Sequence, residues 1–447
     1  MKSRLNHMLD NYRKTDMSYQ FRMDRLKRLE KAIRNHEEDL NDAIYKDLNK
    51  SEAEFYISEL SIVYKEIDYF KKNLRKLMKL KRVGPFIGHP FSKNYTMRDP
   101  LGLVLIIAPW NYPVQLSLNP LVGALAGGNI CLLKVSKKSV YSSQVLGKII
   151  DEAFDETEVI MVVDDYSYDE VLDFNYDLIF FTGSSKVGKT IMASAAQTLT
   201  PVILELGGKS PALIDSTADL ALAAKRLVFG KGLNSGQTCI APDYLYIEED
   251  LLEDFIELFK KEVELQYGRA IANIDYAKII SPREFDRLLD LMDGSLIGGE
   301  YDKKLRKIEP SLVLDVKEDD RIMEEEIFGP LLPVISYKNK YDLLERLRKK
   351  KSPLAFYIFS QDRVFIDKAL KEISFGGGCV NDTIMHIAND KLPFGGIGNS
   401  GMGNYHGAYS FNSFTRQKAI VESKNPDLSL RYAPYTDKKM SWLKKIL

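Results

Sequence analysis

The sequence predicts an α/β protein with two doubly wound parallel-sheet domains. Short apolar runs alternate with helix-like segments from about residue 100 to 204. A second alternating set runs from Ala212 to about Phe375. The length of 447 residues leaves room for two or three domains and a sizeable core.

Ser18 to Leu48 opens the organised part of the chain. Leu26, Leu29, Ile33, Leu40 and Ile44 recur there at helical spacing among many charges, which reads as one or two amphipathic helices. Ser51 can cap another long helix through Leu80, with Glu52 and Glu54 in its first turn. Prolines and glycines between Val83 and Gly102 mark a loop with a hairpin. Leu103 to Ile107 is a continuous apolar run, the pattern of a strand buried on both faces. The alternation then proceeds through helix Asn119–Ala126, strand Ile130–Leu133, helix Ser142–Ala153, strand Val159–Val163 and strand Leu178–Phe181. A glycine turn and a helix through Ala196 follow. Leu220 to Leu233 reads as a helix, and Tyr405 to Glu422 looks strand-like throughout. No internal repeat or low-complexity tract is present.

Composition narrows the function. The 63 basic residues match the 63 acidic ones, so no global field points to nucleic acid or an anionic membrane. A hydrophobic content of 45% with 28% charge is that of a soluble globular protein. Cys131, Cys239 and Cys379 form no C-x-x-C pair, which argues against a zinc site or a disulfide framework. The five histidines show no ligand spacing, so no metal is assigned. Met1 to Met17 has no apolar run of signal-peptide type, and no stretch reaches the roughly 20 apolar residues of a membrane span. A cytoplasmic location is the expectation.

Two stretches carry candidate chemistry. Gly236-Gln-Thr-Cys-Ile-Ala-Pro242 sets a thiol, Cys239, among small and polar neighbours where substrate can reach it and local dipoles can ionise it. Glu205-Leu-Gly-Gly-Lys-Ser-Pro211 places a carboxylate directly before a glycine pair, at a turn and not inside a helix. A nucleophile and a base on separate rigid elements suit covalent catalysis. Taken alone, Cys239 also fits a small core hydrophobe. Asn111, in Pro109-Trp-Asn-Tyr-Pro113 after the Leu103 strand, can donate to an oxyanion or merely turn the chain. Gly183, Ser184, Val187 and Gly188 lie where a strand meets a helix N-terminus, a phosphate site or an ordinary turn. Glu326 and Phe328 can hold a ribose and a nicotinamide, or be a solvated charge beside a core ring. The G-x-G-x-x-G at Gly396, Gly398 and Gly401 opens no clear helix and is set aside.

The ordered set P-W-N-Y-P, F-T-G-S-x-x-V-G, E-L-G-G-K-S-P, G-Q-T-C, E-E-I-F-G-P and L-P-F-G-G-x-G, from Pro109 to Gly398, resembles the aldehyde dehydrogenase superfamily. Val380 to His386 and Ser400 to Gly407 are similar to its class 3 branch, which acts on aromatic and fatty aldehydes. The resemblance implies an aldehyde dehydrogenase-like fold: a cofactor domain over 1–204, a catalytic domain over 205–404 and an oligomerisation strand and tail over 405–447. A hairpin at about 86–101 would join that oligomerisation element, and a homodimer is implied. It further implies that Cys239 attacks an apolar aldehyde, that Asn111 and the Cys239 N–H hold the oxyanion, and that Glu205 activates the hydrolytic water. Lys134, Lys137, Gly183, Ser184, Val187, Gly188, Glu326 and Phe328 fall at cofactor positions for NAD or NADP.

The family's K-P-S-E string reads Lys134-Val-Ser-Lys137 here. A lysine in place of the acidic residue predicts that NADP is accepted and modestly preferred. A CoA-acylating dehydrogenase and a non-catalytic protein on the same fold are the other readings. Glu205 argues against the first, and the intact trio Cys239, Glu205 and Asn111 against the second. The basic tail Lys438 to Leu447 can touch a membrane surface, lie in solvent or pack in a dimer.

Overall fold

A computed structural model of the chain describes residues 1–86, 90–163, 166–423 and 431–446. Its first sheet has six strands in the order Gly401–Met402, Val202–Leu206, Leu178–Gly183, Leu103–Ile107, Ile130–Lys134, Val159–Val162. All pairs are parallel except the first, where Gly401 lies opposite Glu205. Every residue of the Leu103–Ile107 strand is buried, as its unbroken apolar run predicts. Register aligns Ile107 with Lys134 and Phe181, and Thr182 with Glu205. The strands' carboxyl ends therefore bring Lys134, Thr182 and Glu205 to one edge, where open α/β sheets place ligands.

The second sheet has seven strands in the order Ser295–Ile297, Ser311–Leu314, Leu331–Tyr337, Tyr244–Glu248, Pro211–Ile214, Ala355–Phe359, Gly377–Val380. It is parallel apart from the outermost Ser295–Ile297 strand. The fold is thus α/β with two parallel-sheet units, and the expected class holds.

Helices over Tyr19–Asn35 and Glu37–Leu48 match the amphipathic reading of Ser18 to Leu48. Asn49, at φ 56°, ends the second of them in the left-handed conformation asparagine tolerates. The Ser51 hydroxyl then accepts the Glu54 N–H at 3.2 Å and starts the next helix. That helix runs over Glu52–Phe55, passes through a π-turn at Tyr56–Leu60 and continues over Ser61–Leu77. The charged N-terminus holds a helix that no apolar run announced, Lys2–Tyr12, which buries only Leu5 and Met8.

Two elements differ from expectation. The helix expected at Asn119–Ala126 begins at Pro113, since Pro at a first turn loses no hydrogen bond. The stretch Tyr405 to Glu422 is not one strand: Ala408–Ser413 is helical and only Thr415–Glu422 is extended. The Glu66 carboxylate explains the turn, accepting the Gly407 N–H at 2.8 Å and the Ser410 hydroxyl at 2.7 Å. Thr415–Glu422 pairs along its whole length with Lys93–Pro100, which also pairs with Lys81–Val83 in a three-stranded antiparallel sheet. The hairpin is wider than the expected 86–101, its first strand lying at Lys81–Val83, and Ile87, Gly88 and His89 between its strands are outside the described residues. The C-terminal segment forms a helix over Asp437–Ile446 that exposes Met440 and Trp442. Among the described residues no helix is long and apolar enough to cross a membrane.

Candidate active site

Cys239 follows a tight turn over Leu233–Gly236, in which Asn234 and Ser235 both sit at φ 51°. Two consecutive non-glycine residues in the left-handed region store strain, which persists only where surrounding contacts fix it. Those contacts are present. The Asn234 N–H donates to Glu54 Oε1 at 2.8 Å, and the Asn234 amide to the Asn111 carbonyl at 2.8 Å. The Gln237 side chain donates to the Asn234 and Lys278 carbonyls and accepts the Ile280 N–H. Gly236, at φ 72°, passes so close to the Gly329 carbonyl that a Cβ there would lie 2.2 Å from its oxygen. Only glycine fits that crossing.

The turn delivers Cys239 to a cavity of about 850 Å3. Asn111, Glu205, Thr182, Gly183, Ser184, Val187, Glu326 and Phe328 line it, and so do Lys138 and Glu284. Apolar walls come from Trp110, Phe229, Leu233, Ile384, Met385 and Phe394. Lys134, Lys137 and Gly188 are not among the described lining residues. Lys134 is buried and donates to the Val163 and Tyr166 carbonyls, Lys137 is exposed, and Gly188 packs against Leu206.

Burial pushes the Cys239 thiol up, and the nearby carboxyls of Glu326 and Glu205 push it further. The backbone N–H groups of Cys239 and Ile240 act in the opposite sense. Desolvation and these two carboxyls thus work against the ionisation by local dipoles that the sequence leads one to expect.

Glu205 ends the Val202–Leu206 strand and is 3% exposed. Both carboxyl oxygens lack a hydrogen-bond partner among the described residues, and burial raises this group well above the ordinary carboxylate range. A buried acid with nothing to stabilise its charge binds a proton more readily than an ordinary carboxylate, which suits a general base.

Asn111 is 3% exposed, and its side-chain amide donates to the Gln237 carbonyl at 2.9 Å. An amide carries two N–H bonds, so one remains for a ligand. Glu326 packs against Gly207, where a Cβ would lie 2.0 Å from Oε2. Burial and the Asp243 charge raise Glu326 to about 8, opposed by the Gly208 N–H, Lys209 and Lys231. Phe328, at φ 53°, meets Trp110 edge-on with ring centroids 5.6 Å apart.

The walls suit a dinucleotide. The Thr182 hydroxyl is buried without a described partner, and Ser184 caps the Ser185–Ala196 helix through the Val187 N–H, leaving the helix's first amides as anion donors.

Two charged groups escaped the sequence reading, Lys50 and Glu59, and Glu54 is expected only as a favourable charge in a helix's first turn. Lys50, between two helices, and Glu59 have the look of solvated charges, and only their burial distinguishes them. Lys138 stands beside the two lysines that drew notice; it reaches Glu284 at 3.3 Å and lies 5.3 Å from the Trp110 ring.

Comparison with known proteins agrees with this geometry. The aldehyde dehydrogenase family matches residues 10–420. The chain is 41% identical to 4,4'-diaponeurosporen-aldehyde dehydrogenase of Staphylococcus aureus, over 94% of this chain and 93% of that protein. It is 40% identical to aldehyde dehydrogenase family 3 member A2 of Rattus norvegicus, over 96% and 90%. A solved structure of the substrate-bound state of Staphylococcus aureus AldH superimposes with a TM-score of 0.96 at 38% identity, covering 99% of this chain and 98% of that one. The chain belongs to the aldehyde dehydrogenase family and is an oxidoreductase acting on aldehydes.

Proposed function

We propose that this protein oxidises apolar aldehydes to carboxylic acids with NAD or NADP as electron acceptor. The observation that supports it most is the meeting of Cys239, the Asn111 amide and an unpartnered Glu205 carboxyl on one largely apolar cavity. With its proton released to solvent water, Cys239 Sγ attacks the aldehyde carbon and forms a thiohemiacetal. The free Asn111 N–H and the Cys239 backbone N–H meet the oxyanion. A bound nicotinamide supplies the hydride acceptor. Loss of hydride from the carbon leaves a thioester on Sγ. Glu205, deprotonated, takes a proton from water, whose oxygen attacks the thioester carbon and frees the acid and the thiol. Thr182, Gly183, Ser184, Val187, Glu326 and Phe328 would hold the coenzyme. Lys134, Lys137 and Gly188 would act from behind that wall or at its rim.

The retained Glu205 favours hydrolysis over transfer to CoA, since a thiol acceptor has no use for a water-activating base. Aldehydes of rising chain length, assayed with both coenzymes and with CoA present, test the proposal. Free acid as product, with efficiency rising with chain length, is expected. Acyl-CoA as product, or no turnover across the panel, would overturn it.

The assembly proposed is a homodimer. Thr415–Glu422 is a fully extended edge strand of eight residues with Val421 exposed, and a free edge of that length is a template for pairing. A sedimentation mass equal to one chain would refute it. Three free thiols support a reducing, cytoplasmic setting.

A further inference from the structure

We propose that the buried Lys50–Glu59 ion pair is the positioning device that holds Asn111 in its oxyanion-donating pose. The inference rests on Asn111 as the oxyanion donor and names what keeps it in place.

Both side chains are fully buried, and Lys50 Nζ lies 2.7 Å from Glu59 Oε1. Taking two charges out of water is costly, and an apolar pair of equal volume is often at least as stable. Their location shows what the charges do. Lys50 Nζ also donates to the Asn111 carbonyl at 2.9 Å and lies 3.8 Å from the Tyr112 ring centroid. The three ammonium hydrogens thus face a carboxylate, a carbonyl and an aromatic face. Glu59 Oε2 accepts the Val114 N–H at 2.9 Å and the Gln115 N–H at 3.2 Å, at the positive end of the Pro113–Gly127 helix.

The pair therefore grips the chain at Asn111, Tyr112, Val114 and Gln115. Asn234 adds a second bond to the Asn111 carbonyl, and Glu54 holds Asn234. With its backbone clamped from both sides, the Asn111 side chain is left one internal bond, to the Gln237 carbonyl beside Cys239. Glu59 reaches inward from the π-turn at Tyr56–Leu60, while Ile57 and Ser58 of the same turn line the cavity. An i→i+5 turn inside an α-helix is uncommon and concentrates at functional sites.

The test is a double-mutant cycle on the first-turnover burst of reduced coenzyme. Glu59→Gln and the charge-free pair Lys50→Met/Glu59→Gln are each made in the wild-type and Asn111→Ala backgrounds, with circular dichroism as the folding control. The pair leaves no unpaired buried ion, so it folds where the single change does not. In the wild-type background the burst rate should fall about 10- to 100-fold, the range for a misplaced catalytic group, with aldehyde KM little changed. In the Asn111→Ala background the same changes should cost less than about twofold, because groups acting through one residue are not additive. Equal losses in both backgrounds, or an unchanged burst in folded variants, would overturn the positioning role alone. A harmless Asn111→Ala would overturn this inference and the oxyanion assignment together.

Discussion

The buried and the exposed groups of the site are held differently. Asn111 and Glu205 are each 3% exposed, and the turn before Cys239 is bonded to a helix through Glu54 and to the loop that carries Asn111. Lys137 is exposed, and Lys138 reaches Glu284 with their side chains 42% and 25% exposed. Polar contacts sheltered from water act at nearly full strength, while solvent screens exposed ones. Chemistry should therefore collapse when the buried groups are altered, and coenzyme choice should move only slightly when the exposed ones are.

The largest effect is expected at Cys239. Replacing the nucleophile by Ala should lower turnover by on the order of 10⁶, as loss of an acyl-enzyme nucleophile does elsewhere. Cys131→Ser and Cys379→Ser should keep turnover. Cys131 is buried in the sheet, with its thiol pushed up to about 12, and Cys379 Sγ lies 3.6 Å from His386 Nδ1. Loss of turnover in either folded variant would show that a second thiol takes part.

Glu205→Gln comes next. Its burst of reduced coenzyme should persist, while the steady rate falls by roughly 10²–10⁴. The raised Glu205 pKa sets the sign of the pH dependence. The acid is protonated and inactive as a base at low pH, so wild-type thioester hydrolysis should speed up as pH rises, in a range above that of an ordinary carboxylate. The variant should lose that limb. A steady rate unchanged by the substitution would mean that another group activates water.

Asn111→Ala should slow the burst itself, by on the order of 10²–10³, the usual loss for one oxyanion donor. A slowed steady rate with an intact burst would move Asn111 from the first chemical step to the second.

The same contrast explains what was legible in the sequence. Strands buried on both faces read as unbroken apolar runs, so strands of the first sheet could be placed one by one, while the second sheet, whose outer strands Ser295–Ile297 and Gly377–Val380 are only partly buried, was legible only as an alternating set. Cys239 and Glu205 are flanked by residues the backbone requires, such as Gly236 and Gly207, and so sit in recognisable strings. Lys50 and Glu59 have no such flank: a lysine between two helices and a glutamate nine positions on in a charged helix look solvated until tertiary packing encloses them. The start of the Pro113–Gly127 helix was hidden because all fifteen residues are buried and no periodicity survives. Ala408–Ser413 was taken for strand because its helical turn depends on Glu66, more than three hundred residues away.

The smallest effect is expected at the exposed lysines, on which the expected coenzyme preference rests. The position that carries a carboxylate in the family string carries Lys137, which removes that carboxylate's repulsion of a 2′-phosphate. Lys138 adds positive charge on the cavity wall, but Glu284 partly neutralises it. An exposed ion pair contributes about 0–1 kcal/mol, which limits any NADP preference in kcat/KM to about fivefold. Lys137→Glu restores the negative charge and should turn the ratio toward NAD. Lys138→Ala should shift it the same way by less, because one positive charge is lost while Glu284 keeps its bond to Arg287 at 3.1 Å. Salt gives an independent check: raising ionic strength shortens the screening length and should shrink the wild-type ratio toward one. A strong wild-type preference for NAD, or a ratio unmoved by either substitution, would show that selection lies with buried groups and that the contrast between buried and exposed groups does not extend to the coenzyme.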